Sequence, residues 1–317
     1  MFHTEICDLL GIKYPIIQGA MGGISDPGLA AAVSNAGALG VLAAWGRTKD
    51  QLRQDINETR KFTDMPFAVN IMPISPAFTE SRAKIVIEEG VKIVTTGRSD
   101  PRAPIVNMLK DHGIKVMPVV PTVRHAIRVE EEGVDAIIAS GTEAGGHVGS
   151  VATMPLLPQV VNVVKVPVIA AGGIGDASGF VAALALGACG VQMGTRFIAS
   201  HESAATEIQK KIVTEYSDED TVVTPLFTGK PVRFLQTPVV KEFVRQAGKG
   251  KSRNEIKSIV SETIDFDMKN PEEFIMTAGQ ITGLISAVES VDDIIKNIIY
   301  DAEKICTRLN VIKDKDN

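Results

Sequence analysis

The chain is short of the residues that mark several common protein classes. Only three of its 317 residues are cysteine, Cys7, Cys189 and Cys306, and they lie far apart, form no CxxC pair and leave an odd count. A disulfide framework or a thiolate metal site is therefore not expected, and a reducing cytoplasm fits best. No apolar run approaches the roughly 18 uninterrupted residues of a membrane span. The opening Met1-Phe2-His3-Thr4-Glu5-Ile6-Cys7-Asp8 lacks the basic and then apolar regions of a secretory signal. Basic residues are not in excess, 33 against 38 acidic for a net charge of −5, so no face for nucleic acid is expected. No HExxH, paired-carboxylate or GxSxG element occurs, which removes the signatures of zinc proteases and serine hydrolases and leaves no expected metal.

What remains is an ordinary globular composition, 44% hydrophobic and 22% charged, with a repeating pattern from Tyr14 to about Thr195. A short β-branched run, a Gly, Pro or polar break and a longer amphipathic segment follow one another. The strand-like runs are Pro15–Gln18, Gly40–Ala43, Phe67–Ile71, Lys92–Thr96, Lys115–Val120, Ala136–Ala139, Pro167–Ala171 and Gly190–Met193. Each is almost continuously apolar, as a parallel strand covered on both faces must be. Helical spacing lies between them. Leu29–Val33 follows Ser25-Asp26-Pro27, a cap and a first-turn proline, and Ala126–Glu132 ends at Gly133, a helix-terminating glycine. Eight alternating units in about 180 residues favour an α/β fold of the TIM-type (β/α)8 barrel over an open doubly wound sheet.

The rhythm changes after Thr195. The expected organisation is a barrel over residues 1–200, a smaller, mostly helical lid over 201–275 and a return to the barrel over 276–317. The charged stretches Ser217-Asp218-Glu219-Asp220 and Lys249-Gly250-Lys251-Ser252-Arg253 fall in the middle part. An outer helical layer without function would read the same way.

A barrel places chemistry at the C-terminal ends of its strands. The stretch Gly141-Thr142-Glu143-Ala144-Gly145-Gly146-His147-Val148-Gly149 follows the sixth strand and holds four glycines and one imidazole. Glycines let backbone approach a ligand closely, and histidine titrates near neutrality. Other strand ends finish in Gly19-Ala20-Met21, Asn70, Gly172-Gly173 and Gln192-Met193-Gly194-Thr195. The loops after the seventh and eighth strands, with free backbone amides, suit a phosphate, although the same glycines also serve tight turns. Asn70 and Gln192 are amides able to meet both donors and acceptors on a planar ring edge. A flavin mononucleotide site fits these parts, and a phosphorylated metabolite fits the cradle equally well. His3, His112, His125 and His201 read as solvated, and Cys189 as a packed small residue.

Several of these motifs, in this order, resemble the nitronate monooxygenase (2-nitropropane dioxygenase) superfamily. They are Tyr14–Met21, Phe67–Met72, Glu143–His147, Ala170–Ile174 and Gln192–Phe197, with a return at Ala278-Gly279-Gln280. Val69–Met72 leading to Ser75-Pro76, Val94–Gly97, Val119–Pro121 and Met276–Gln280 are most similar to the FabK-type enoyl-acyl-carrier-protein reductases. The resemblance implies FMN held by Gly19, Ala20, Met21, Asn70, Gly145, Gly146, Gly172, Gly173, Gln192, Met193, Gly194, Thr195 and Gln280. It makes His147 the catalytic histidine. It further implies NADH or NADPH as reductant and an acyl-thioester substrate on acyl carrier protein. The alternatives within the superfamily are a nitronate monooxygenase or a quinone reductase, and outside it a phosphate-ligand binding protein without redox chemistry. A homodimer is what the resemblance suggests. The chain departs from the FabK pattern at Gly22-Gly23, where an aromatic residue often stands, and at Ala204-Ala205, where the family often has His-Pro.

Overall fold

Each continuous apolar run forms a parallel strand, and together the runs close a barrel. The computed structural model describes residues 2–97, 103–252, 254–256, 258 and 275–314. The barrel strands are β1 (Ile16–Gln18), β2 (Gly40–Ala43), β3 (Phe67–Ile71), β4 (Ile93–Thr96), β5 (Lys115–Val120), β6 (Ile137–Ser140), β8 (Val168–Ala171) and β9 (Gly190–Met193). They pair in the order β1-β9-β8-β6-β5-β4-β3-β2, every pair parallel. β7 (Gly146–His147) belongs to a separate small sheet. The expected eight-stranded barrel is the fold.

The strands are buried on both sides, which is why they do not alternate. Ile17, Val41, Ala68, Met117, Ile138 and Ile169 fill one apolar cluster with Ile6, Cys7 and Leu10 of the helix α1 (Glu5–Leu10). That helix packs at the start of the strands, opposite the ends where chemistry is expected. A second, larger cluster lies between the strands and the surrounding helices α2 (Pro27–Asn35), α3 (Lys49–Phe62), α4 (Pro76–Glu88), α5 (Ala103–Lys110), α6 (Val123–Glu131), α7 (Thr153–Val161) and α8 (Ala177–Ala185). The caps read from sequence operate: the Asp26 carboxylate accepts from Leu29 N at 2.9 Å, and Gly133 takes φ +84° beyond α6. Strand β2 lies so close to α2 that a Cβ on Gly40 would stand 1.8 Å from the Ala30 oxygen.

The seam of the barrel lies between β1 and β2, which are joined by the single bridge Ile17–Leu39. Gln18 completes the junction with its side chain. Fully buried, it accepts from Val41 N at 2.9 Å through Oε1 and donates through Nε2 to the Gly19 carbonyl and to Ser25 Oγ at 2.8 Å. An amide side chain thus replaces a missing rung of the ladder.

After the four-residue α9 (Thr195–Ile198), the chain forms α10 (Glu207–Glu215), a hairpin of β10 (Thr221–Thr224) and β11 (Val232–Leu235), and α11 (Pro238–Gly248). The hairpin was not anticipated, because its strands are only four residues long and β10 is half polar. Residues 253, 257 and 259–274 of the expected lid, and 315–317 of the charged tail, lie outside the described residues. The chain returns through a 3-10 turn, Gln280–Leu284, and α12 (Val291–Asp314), which packs Ile294, Ile295, Ile298 and Ile299 against α2 and α8. Among the described residues no helix is long and apolar enough to cross a membrane, and the three cysteines are free.

Replacing Gln18 by leucine strands the Val41 amide in the core and opens the seam. Urea unfolding of Gln18→Leu should show a loss of about 2–4 kcal/mol. An unchanged midpoint would mean that the Leu39 bridge alone closes the barrel.

Candidate active site

Barrel register brings the strand ends level. Ser140 of β6 pairs with Ala171 of β8, and Ala171 with Gln192 of β9, so the chain leaves the sheet at adjacent points on one rim. Above that rim lies a cavity of about 520 Å³. His147, Gly19, Ala20, Met21, Asn70, Gly145, Gly146, Gly172, Gly173, Gln192, Gly194 and Thr195 all line it. Two expected site residues do not. Met193 points into the apolar core, 1% exposed, and contributes only its carbonyl, which accepts from Gly19 N at 2.8 Å. Gln280 is exposed and is anchored by its backbone, donating to the Glu143 carbonyl at 2.9 Å.

The rim offers the groups a flavin phosphate and ring would need. Gly172 and Gly173 adopt φ +87° and +73°, and a Cβ on Gly172 would meet the Gly141 oxygen at 2.9 Å, so only glycine turns the chain there. The amides of Gly173, Ile174 and Thr195 donate to no protein acceptor among the described residues. Thr195 Oγ1 itself accepts from Gly279 N at 2.8 Å, tying the returning chain to the cradle. Asn70 spends its Nδ2 on Thr95 Oγ1 at 2.9 Å, and among the described residues neither its Oδ1 on the cavity wall nor the amide of Gln192, half-buried there, has a protein partner. Open amides on both sides of one cavity are what a phosphate and a heteroaromatic edge require, so the residues present fit FMN.

The histidine does not belong to the barrel. Gly146–His147 forms the edge of the small sheet β10-β11-β7, with His147 opposite Val232 and Gly146 opposite Arg233. Val148 N extends the pairing, donating to the Pro231 carbonyl at 3.1 Å. Residues opposite one another in a sheet share a face, as do residues two apart on a strand. His147, Val232 and Phe234 therefore lie on one side of the sheet, and all three line the cavity. Met276 and Ile275 add to this apolar bank.

Arg233, which sequence reasoning missed, and Glu143, which it quoted only as part of a motif, hold the histidine loop. Arg233, 7% exposed, donates through Nε and Nη2 to the Thr142 carbonyl at 3.1 and 3.0 Å and through Nη1 to Thr221 Oγ1 at 2.7 Å. Burial pushes its pKa down, and the Glu143 carboxylate opposes that shift. Glu143 in turn accepts from Thr153 N at 2.9 and 3.0 Å and from Thr153 Oγ1 at 2.9 Å. The loop is thus fastened to the hairpin on one side and to the start of α7 on the other. The Arg233 contact has no local sequence signal, since Arg233 lies 91 residues from Thr142.

Of the other histidines, His3, His112 and His201 are exposed as expected. His125 is instead half-buried beside Thr122, with Nδ1 2.6 Å from its hydroxyl, and burial together with Arg124 lowers its pKa. Cys189 is the packed residue expected: burial first, then Glu5, raises its pKa to about 12, and Sγ lies 3.2 Å from the Val168 carbonyl. A thiol so protonated is no nucleophile.

Fold and site together define a parallel α/β barrel with a cavity at the strand ends whose lining fits FMN. Comparison with known proteins then places it: the nitronate monooxygenase family model matches residues 3–301, and the chain belongs to that family of flavin-dependent oxidoreductases. It is 37% identical to a probable nitronate monooxygenase of Staphylococcus saprophyticus, over 75% of this chain and 79% of that protein. It is 32% identical to the (3aS,4S,5R,7aS)-5-hydroxy-7a-methyl-1-oxo-octahydro-1H-indene-4-carboxyl-CoA dehydrogenase of Rhodococcus jostii, over 98% and 99% of the two chains. Among solved structures it superposes on FabK from Thermotoga maritima with a TM-score of 0.92 and 39% identity, covering 98% of this chain and 100% of that one.

Removing the Arg233 guanidinium frees the Thr142 carbonyl and unlatches the hairpin. Arg233→Ala should lose about 2 kcal/mol in urea unfolding. It should also slow turnover more than it weakens flavin retention, measured by kcat against flavin absorbance after gel filtration. Equal losses in both would show that the latch supports the whole site and not the histidine loop in particular.

Proposed function

We propose that this chain is an FMN-dependent reductase of enoyl thioesters, with NADH or NADPH as reductant and an acyl carrier protein as carrier of the substrate. The observation that carries the reading is the apolar bank of Val232, Phe234, Ile275 and Met276 lining the same cavity as His147. An acyl chain needs such a surface beside the reacting carbons, whereas a small anionic nitronate gains little from it. The full-length similarity to FabK and to a relative named for a carboxyl-CoA substrate supports the thioester class.

The backbone amides of Gly173, Ile174 and Thr195 would hold the flavin phosphate, and Asn70 and Gln192 the edge of its ring. FMN supplies, when bound, the transfer of a hydride from the nicotinamide to the β-carbon of the enoyl group. His147 holds a proton at its imidazole and delivers it to the thioester enolate, completing the saturated product. The hairpin, whose Val232 and Phe234 line the cavity, acts as a lid that excludes water from this exchange. A cytoplasmic enzyme, working as a homodimer, belongs to the same reading.

A second reading keeps the same residues. The family model and the Staphylococcus saprophyticus relative favour nitronate oxidation, in which His147 would bind the anionic nitronate. Anaerobic mixing separates the two. The flavin should bleach with NADH or NADPH and regain its colour on addition of crotonyl or longer enoyl thioester. No thioester-dependent recovery, with rapid oxygen consumption on a nitronate, would replace the reductase by the monooxygenase. In either case His147→Ala should keep its flavin absorbance and lose turnover on the carbon substrate by about a hundred-fold or more. Turnover at the parental rate would remove His147 from the chemistry.

A further inference from the structure

The chain has one tryptophan, Trp45, and it stands on the wall of the cavity. It follows β2 in a turn braced from both sides. Ala44 N donates to the Asn70 carbonyl at 3.1 Å, Gly46 takes φ +81°, and the Arg47 carbonyl accepts from Arg82 Nη2 at 2.6 Å. Arg47 Nε is itself paired with Asp55 at 2.7 Å. The indole is therefore presented by a fixed backbone, yet the side chain is 49% exposed. Its N–H has no protein acceptor among the described residues. A large aromatic held half in water beside a cavity is an arrangement that a ligand completes.

The neighbouring strand end makes room for it. A Cβ on Gly22 would stand 2.7 Å from Trp45 Cδ1 and 3.5 Å from Nε1, so the edge of the indole lies against bare backbone. Any side chain at Gly22 would push the ring aside. Trp45 and the bank of Phe234, Ile275 and Met276 line one cavity, and Ile275 is also partly exposed at 38%.

We infer that Trp45 is a specificity-determining residue, the wall on which the apolar chain of the substrate lies, and that Gly22 is the vacancy that lets it stand there. The inference rests on the reading of the cavity as the site of a carbon-chain substrate, and its test separates the two. Because Trp45 is the sole tryptophan, its emission reports this position alone. In the FMN-loaded parental protein, saturated acyl thioesters of four, eight and twelve carbons should shift the emission maximum to shorter wavelength by an amount that grows with chain length. The wavelength is read because the flavin dims the intensity uniformly. An emission maximum that ignores chain length overturns the role of Trp45, even where enoyl thioesters are reduced.

A mutant cycle gives the second reading. Trp45→Ala should raise KM for an octenoyl or longer thioester by about ten-fold and for crotonyl thioester by much less, with kcat changed less than KM and FMN retained. Trp45→Phe should recover most of the loss. Gly22→Ala should raise the long-chain KM several-fold in the parental background and add nothing in Trp45→Ala, because its effect passes through the ring. Equal losses for long and short substrates, or additive effects of the two substitutions, overturn the inference. If turnover is on nitronates and not on thioesters, the reductase reading fails. The same cycle and titration with alkyl nitronates of increasing length then decide the role of Trp45 by the same outcomes.

Discussion

A level rim is the constraint on which the site depends, and a rim exists only if the barrel closes. The weakest part of that closure, between β1 and β2, has one backbone bridge and the buried amide of Gln18. Buried backbone donors must find partners, and Gln18 gives Val41 one where a strand does not. With the seam held, parallel register brings Ser140, Ala171 and Gln192 to the same height, and the glycine turns that follow converge around one cavity.

The division of labour within that cavity is physical. The barrel supplies the fixed elements, open amides at Gly173, Ile174 and Thr195 and the amide side chains of Asn70 and Gln192. These can hold a charged, planar group without moving. The histidine is mounted differently, on the edge strand of a sheet whose other two strands belong to the segment after the barrel. Arg233 fastens that sheet to the Thr142 carbonyl, so hairpin and imidazole keep one geometry. The apolar bank of Val232 and Phe234 and the imidazole of His147 are in this way placed by the same three short strands.

Much of this was legible in the chain. All eight barrel strands coincide with the apolar runs to within a residue or two, because a strand covered on both faces must be apolar throughout. Twelve of the fourteen residues expected at the site line the cavity, since glycines and amides at strand ends leave a local signature. Met193 and Gln280 do not, for a shared reason: a residue inside a motif can serve it through the backbone while its side chain points elsewhere. The hairpin escaped because four-residue strands, one of them half polar, carry no period strong enough to read.

The sequence by itself determined the barrel, the end of it where the cavity opens, the glycine turns around that cavity and the presence of His147 there, all consequences of local pattern and strand direction. Only the tertiary structure decided what surrounds the histidine. The pairing of His147 with Val232, the reach of Arg233 to Thr142 and the seat of Trp45 against Gly22 join residues far apart in the chain. Such contacts depend on which surfaces the closed barrel brings together, and no local composition encodes that distance.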